Sequence, residues 1–134
     1  MIKKTITYTD FNGNERTETF RFHLSKAELA EMELSAEGGL AETLRRIIDA
    51  NDSKQLVAIF KDLILRSYGE LSPDGRRFVK NDELRNEFKD TQAYSDLFME
   101  LATDDKAAVE FVNGIVPAEV SEAKDNVVEL PTNA

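Results

Sequence analysis

The chain contains no cysteine and only one histidine among its 134 residues. These absences exclude disulfide bonds, thiolate nucleophiles, cysteine metal sites and any site built on two histidines. No apolar run approaches the roughly 20 residues that a membrane-spanning helix needs, and the opening MIKKTITYTD lacks the apolar core and cleavage site of a signal peptide. We therefore expect a cytoplasmic protein that has no metal, no cofactor and no membrane contact.

Basic charge is also scarce, since 17 Lys and Arg stand against 26 Asp and Glu and the net charge is −9. Phosphate contacts need clustered Lys and Arg, so the composition argues against a nucleic-acid partner. We interpret the acidic surface as a means of staying soluble, and a docking face for a basic partner is the alternative. One local group of basic residues surrounds Phe78: Arg76, Arg77, Lys80 and Arg85. This group fits ion pairs with acidic helices better than nucleic-acid binding, and docking of a partner protein is a third option.

Catalytic and nucleotide-binding motifs are missing as well. There is no GxSxG elbow for a Ser/His/Asp triad, no Walker A motif and no GxGxxG. The single histidine, His23, is expected on the polar surface of a strand. The segment DFNGN at residues 10–14 resembles a calcium loop superficially, but its glycine is fourth instead of sixth and Arg21 stands where a bidentate Glu is needed. An enzyme is supported only by scattered carboxylates, so we predict no catalytic, cofactor or metal residues.

The N-terminal residues have the pattern of a β-hairpin. Side chains alternate between apolar and polar from Lys3 to Thr9 and again from Glu15 to Leu24, as half-buried strands require. Between them, residues 10–14 tolerate the positive φ of a tight loop. One face of the hairpin is apolar and must pack on something, because an isolated hairpin is marginal in water: Ile2, Ile6, Tyr8, Phe20, Phe22 and Leu24.

Helical spacing then predicts about six short to medium helices. The first, from Lys26 to Leu34, begins at a capping box of Ser25 and Glu28 and ends before Gly38. A second is expected from Leu40 to Ala50 and a third, central one from Lys54 to Tyr68, with Gly69 as its left-handed C-terminal residue. After a loop from Glu70 to Lys80 with a short extended piece, three more helices are capped by Asn81, Thr91 and Thr103.

These elements predict an α+β fold in which the hairpin packs on the helical bundle. The domain covers residues 1–118, with the hairpin at 2–24 and the helical part at 25–118. Residues 119–134 have no helical stripe and are expected to form a flexible acidic tail.

The run from Ser72 to Pro117 carries five of the eleven Phe and Tyr residues. Rings at helical spacing most simply form a core, but three short helices are marginal alone, and part of their surface could instead form a groove for an amphipathic helix. Both interpretations stay open at this point. The candidate partner-binding residues, chosen for their apolar character, are Phe78, Tyr94, Phe98 and Phe111.

The amino-acid sequence of two blocks is characteristic of a known family. The first is the hairpin, ITYTDFNGNERTETFRFHLSKAELAEME, and the second is PDGRRFVKNDELRNEFKDTQAYSDLFMEL followed by AVEFVNGIVP. In these blocks the chain resembles the tail assembly chaperones of long-tailed phages and prophages of Gram-positive bacteria. The resemblance covers most of residues 2–117, and the tail after Pro117 contributes nothing to it.

The resemblance implies a non-catalytic protein that binds the tape measure protein, keeps its long apolar helices from aggregating and recruits the tail tube protein. It implies action in the host cytoplasm and absence from the finished virion. It also implies a longer form of the chain, made by ribosomal frameshifting, as a further partner. Homo-oligomer formation is left open, and the alternative functions are a structural tail component or another acidic protein-interaction module.

Overall fold

A computed structural model describes residues 1–31, 45–46 and 49–117 of the chain. The described residues form an α+β fold with the expected N-terminal hairpin, a four-stranded antiparallel sheet and five helices. In chain order the elements are β1 (Ile2–Thr9), β2 (Glu15–Phe22), α1 (Lys26–Glu31), α2 (Ser53–Ser67), β3 (Tyr68–Leu71), β4 (Phe78–Val79), α3 (Asp82–Lys89), α4 (Gln92–Thr103) and α5 (Asp105–Ile115).

The helix count differs from the expected six. Most of the helix predicted from Leu40 to Ala50, the end of the helix predicted from Lys26 to Leu34, and the tail at 119–134 all lie outside the described residues. The described part therefore holds five helices, and the domain boundary at residue 118 stays a prediction. None of these helices is both long and apolar enough to cross a membrane.

The hairpin loop is fixed by the side chain of Asp10. Its Oδ1 accepts hydrogen bonds from the backbone N–H groups of Asn12 and Asn14, both at 2.9 Å, and its Oδ2 accepts one from Nε of Arg16 at 2.7 Å. Gly13 takes the positive φ of +86° that the loop requires. These bonds lower the pKa of Asp10, with the Arg16 bond contributing most.

The two hairpin strands pair along their whole length, from Ile2 opposite Phe22 to Thr9 opposite Glu15. On the outer face two pairs of threonine hydroxyls hydrogen-bond at 2.9 Å, Thr5 with Thr19 and Thr7 with Thr17. The inner face carries the apolar side chains and receives the helices. The predicted alternation of the hairpin is thus confirmed.

The sheet is larger than the sequence predicted, because residues 68–71 add a third strand and the predicted short extended piece pairs with it as a fourth, at residues 78–79. Arg21 and Phe22 of β2 pair with Gly69 and Tyr68 of β3, and β3 in turn pairs with β4. The prediction that Gly69 ends the third helix in a left-handed conformation is wrong. The helix ends at Ser67, and a Cβ on Gly69 would lie 2.8 Å from both the Phe78 ring and the Val79 carbonyl oxygen. Gly69 is needed for close packing of strands.

Three of the predicted helix starts are confirmed and one is shifted. The Ser25–Glu28 capping box forms, and Asn81 and Thr91 cap α3 and α4. Thr103, predicted to cap the last helix, is instead the final residue of α4. Asp104 caps α5, because its extended backbone lets its carboxylate accept from the N–H groups of Lys106 and Ala107.

The core lies between the inner face of the sheet and the helices. Aromatic rings dominate its centre: Phe22 packs against Phe88 and Phe111 with ring centroids 5.7 and 5.3 Å apart. Tyr68 stacks on Phe88 at 4.4 Å. The helix α2 contributes Phe60, Leu63 and Ile64, which are at most 1% exposed and confirm its central position. The rest of the core is formed by Tyr8, Leu24, Leu29, Ala93, Leu97, Leu101, Ala108, Val112 and Ile115.

Candidate functional site

Two of the four predicted interface residues lie together on one helix. Tyr94 and Phe98 are one turn apart on α4, with ring centroids 6.1 Å apart, and both are half-buried. Thr91 fixes the start of this helix by accepting the Tyr94 N–H at 3.2 Å. Burial raises the pKa of the Tyr94 phenol. Ala102 continues the same stripe a further turn along, so the helix offers a row of partly covered apolar groups.

The neighbouring position on α4 is more exposed. Met99 is 54% exposed and follows Phe98 directly, away from the buried stripe of Ala93, Leu97 and Leu101. We call Tyr94, Phe98, Met99 and Ala102 the α4 row. Met99 is not among the predicted interface residues, although its position off the buried stripe could have indicated it.

Phe111, the third predicted interface residue, belongs to the core. It is 2% exposed, and its ring packs edge-on against Phe22. A partner could reach this ring only if α5 left its place. Helical spacing suggested an apolar face for Phe111, and the structure shows that β2 covers that face.

Phe78, the fourth candidate, lies on β4 and is half-buried. Its ring meets His23 nearly at a right angle, with centroids 6.3 Å apart, and Nζ of Lys80 lies 5.7 Å from its centre. It is therefore part of a separate group of side chains and not of the α4 row.

Two of the four members of the basic group around Phe78 form the expected ion pairs, Lys80 with Glu28 and Arg85 with Asp82. Lys80 donates to both carboxylate oxygens of Glu28, at 2.8 and 2.9 Å, and to the carbonyl of His23 at 2.6 Å. Arg85 donates to Asp82 and to the carbonyl of Leu65, both at 2.9 Å. Burial alone would raise the pKa of Glu28, but the bonds from Lys80 and Ser25 bring it below its usual value.

His23 is less exposed than a surface position on a polar strand face would be. It is half-buried, and its Nδ1 is buried with no hydrogen-bond partner among the described residues. Burial lowers the pKa of His23, and the nearby N-terminus and Lys80 lower it further. This environment favours a neutral ring.

Metal chemistry has no support in the described ranges, which contain no group of three or more His, Cys, Asp or Glu side chains placed to hold an ion. What the surface does offer is exposed apolar side chains on separate elements. Besides Met99, these are Phe11 at the tip of the hairpin, Val57 on α2 and Leu71 on β3, with exposures of 77%, 49% and 42%. Apolar side chains exposed singly are common on soluble proteins and do not by themselves mark a binding surface.

Comparison with known proteins identifies the family of the chain. No curated protein and no solved structure matches the chain. A sequence model of a family described as phage tail assembly chaperone matches residues 1–133, almost the entire chain. The chain therefore belongs to the phage tail assembly chaperone family.

Proposed function

We propose that this chain is a non-catalytic chaperone that binds the tape measure protein, keeps it soluble and recruits the tail tube protein during tail assembly. It acts in the host cytoplasm and leaves before the virion is complete. Family membership supports the assembly role. The single structural observation that carries the proposal is the α4 row, where half-buried rings adjoin the exposed Met99.

The chemistry of the α4 row suits a long apolar helix as client. Aromatic rings give a firm apolar floor, and the flexible thioether of Met99 adapts to different side chains along the client. The binding surface is small, so a bound helix would remain free to leave. The net charge of −9 keeps the complex soluble by mutual repulsion.

The test is co-expression with a helical fragment of the tape measure protein. The chain should raise the soluble yield of the fragment and co-purify with it. A charge on the α4 row should weaken both effects, because a buried carboxylate without a partner opposes binding. Met99→Asp is the test variant and Val57→Asp the matched control, since Val57 has similar exposure on another helix, at 49% against 54%.

Each result has one meaning. No gain in fragment solubility with the unmodified chain would contradict the chaperone function itself. A gain that Met99→Asp and Val57→Asp leave equally intact would retain the function and reject the α4 row as its site. Mass spectrometry of purified virions addresses the structural alternative, because a chaperone should be absent and a tail component present.

A further inference from the structure

Strand β2 has an edge that is only partly used. On one side, β2 pairs with β1 at every position from Glu15 to Phe22. On the other side, β2 pairs with β3 only at Arg21 and Phe22. Beyond that point β3 turns away to pair with β4. In the described part of the chain, no other strand pairs with β2.

The direction of the backbone groups on this edge follows from two hydrogen bonds. The N–H of Asp10 donates to the carbonyl of Asn14 across the hairpin at 2.8 Å, so even-numbered residues of β2 turn their backbone groups towards β1. The N–H of His23 donates to the carbonyl of Ser67 at 2.8 Å, so odd-numbered residues face the other side. Thr17 and Thr19 therefore point their N–H and C=O groups at the open edge, where no described residue pairs with them.

An open cleft lies where β2 and β3 diverge. Its volume is about 630 Å³, and it is lined by residues 18–21 and 68–72. Phe20 and Tyr68 give it an apolar floor, with ring centroids 6.3 Å apart. The cleft is thus wide enough to receive side chains from a strand placed beside β2.

The inner side of this cleft is acidic. The Tyr68 hydroxyl donates to Oε2 of Glu70 at 3.4 Å. In the adjoining part of the inner face Glu18 accepts from Tyr8, and its Oε2 lies 3.9 Å from Nη1 of Arg16. Burial raises the pKa of Tyr68 to about 12, and the carboxylates of Glu70, Glu87 and Glu18 add to the rise. Arg21 also lines the cleft, but its side chain projects on the outer face of the sheet with Thr19.

We propose that the open edge of β2 binds an extended basic segment of a partner protein as an added strand. Alternate residues of that segment, Lys or Arg, lie over Phe20 and Tyr68 and place their charges beside Glu18 and Glu70. Backbone hydrogen bonds to Thr17 and Thr19 supply the register. This surface shares no residue with the α4 row, so the inference does not depend on the client proposed for that row.

Charge identifies both the occupant and the edge. A second copy of the chain is a poor occupant, because its net charge of −9 opposes an acidic cleft. The described sheet has two outer edges, those of β1 and β4. The β1 edge carries Lys3, which repels a basic strand, and Lys4, which already pairs with Glu100, while β4 has only two residues. The β2 edge combines unpaired backbone groups, an apolar floor and carboxylates, and so favours Lys and Arg over other side chains.

The test is amide hydrogen exchange of the full chain, followed by NMR, with two seven-residue peptides, acetyl-KTKTKTK-amide and acetyl-ETETETE-amide. Alone, Thr17 and Thr19 should exchange much faster than Glu18 and Phe20, whose amides bond to β1. A large excess of the lysine peptide should slow the Thr17 and Thr19 amides by roughly tenfold or more. The glutamate peptide should not, and Thr5 and Thr7 of β1 should be unaffected by either.

Thr19→Pro and Thr5→Pro form a matched pair of variants, because the two threonines are cross-strand partners that share one hydroxyl hydrogen bond. Proline removes an outward N–H from β2 in the first case and from β1 in the second. Thr19→Pro should abolish the peptide effect at Thr17, and Thr5→Pro should keep it. Should Thr19→Pro not fold, Glu70→Lys, at an exposed position, should weaken the lysine peptide's effect.

Three outcomes would overturn the proposal. The first is no protection at Thr17 and Thr19 with the lysine peptide. The second is equal protection by both peptides or protection of β1 instead. The third is protection that grows with protein concentration in the absence of peptide, which would show that a second copy occupies the edge.

Discussion

Nζ of Lys80 lies 2.8 Å from Oε2 of Glu28, although the two residues are 52 positions apart in the sequence. Lys80 follows the last strand of the sheet, and Glu28 belongs to the capping box that begins α1. The side chain of Lys80 is only 12% exposed. This ion pair therefore holds the start of the first helix against the end of β4.

Replacement of Lys80 should destabilise the protein by more than the loss of one surface charge would. Lys80→Met keeps the apolar stem but leaves the Glu28 carboxylate and the His23 carbonyl without their donor. We expect the free energy of unfolding to fall by about 1–3 kcal/mol, measured by urea denaturation. Lys54→Met, at an exposed position on α2, is the control and should change stability by less than about 0.5 kcal/mol. Equal effects of the two variants would contradict a structural role for the pair.

Phe111 and Phe98 should respond differently to truncation. Phe111→Ala removes a ring that is 2% exposed, and a loss of about 3–5 kcal/mol is expected. Phe98 is half-buried, so Phe98→Ala should cost roughly half as much. Thermal or chemical denaturation of the two variants provides the measurement. A smaller loss for Phe111→Ala than for Phe98→Ala would contradict the assignment of Phe111 to the core.

Gly69→Ala should disturb the junction of β3 and β4. The added methyl group would sit 2.8 Å from the Phe78 ring and from the Val79 carbonyl oxygen, and backbone cannot move aside cheaply. We expect a loss of about 1–3 kcal/mol in the free energy of unfolding. Leu71→Ala, two residues along the same strand and 42% exposed, is the control and should cost less. If Gly69→Ala is as stable as the wild type, the strands are not packed closely enough around Gly69 to exclude a methyl group.

The stability of the protein should fall as the pH drops below about 6.5. Because burial lowers the pKa of His23 in the folded chain, the unfolded chain takes up this proton first as the pH falls. The stability contributed by His23 is fully present above its ordinary pKa of 6.5 and is lost as the pH falls through its pKa in the folded chain. Urea denaturation at pH 7.5, 6.0 and 5.0 measures it.

His23→Gln is the control for this pH dependence, since glutamine does not titrate. Its stability should change less than that of the wild type between pH 7.5 and 5.0. The carboxylates with lowered pKa, Asp10, Glu28 and Asp74, lose their contribution only at lower pH, because they start from ordinary values of 3.8 to 4.5. Parallel profiles for the two proteins would reject the assignment to His23.

The hairpin and most helix starts could be predicted because they depend on neighbouring residues. Asp10 fixes its own loop, and Asn81 and Thr91 each bond to an N–H three residues ahead. The strand β3 could not be predicted in the same way, and β4 was predicted only as a short extended piece without a partner. They have four and two residues, too few to show a period, and they exist through pairing with distant residues.

The candidate site was predictable only in part. Spacing placed Tyr94, Phe98 and Phe111 on apolar helix faces, but spacing does not tell what covers a face. Phe111 is covered by β2, whereas Tyr94 and Phe98 stay half-exposed. The open edge of β2 could not be predicted at all, because it arises where β3, an unpredicted strand, turns away.

The bonds that tie the end of the hairpin to the rest of the fold determine when it can be completed. The N–H of His23 bonds to the carbonyl of Ser67, and the N–H of Leu24 bonds to that of Ile115. As the chain leaves the ribosome, the hairpin emerges first, but Phe20 and Phe22 lack the rings of Phe88 on α3 and Phe111 on α5 until those helices follow. A protein whose proposed task is to shield apolar helices therefore leaves part of an apolar sheet face of its own uncovered until α5 has emerged.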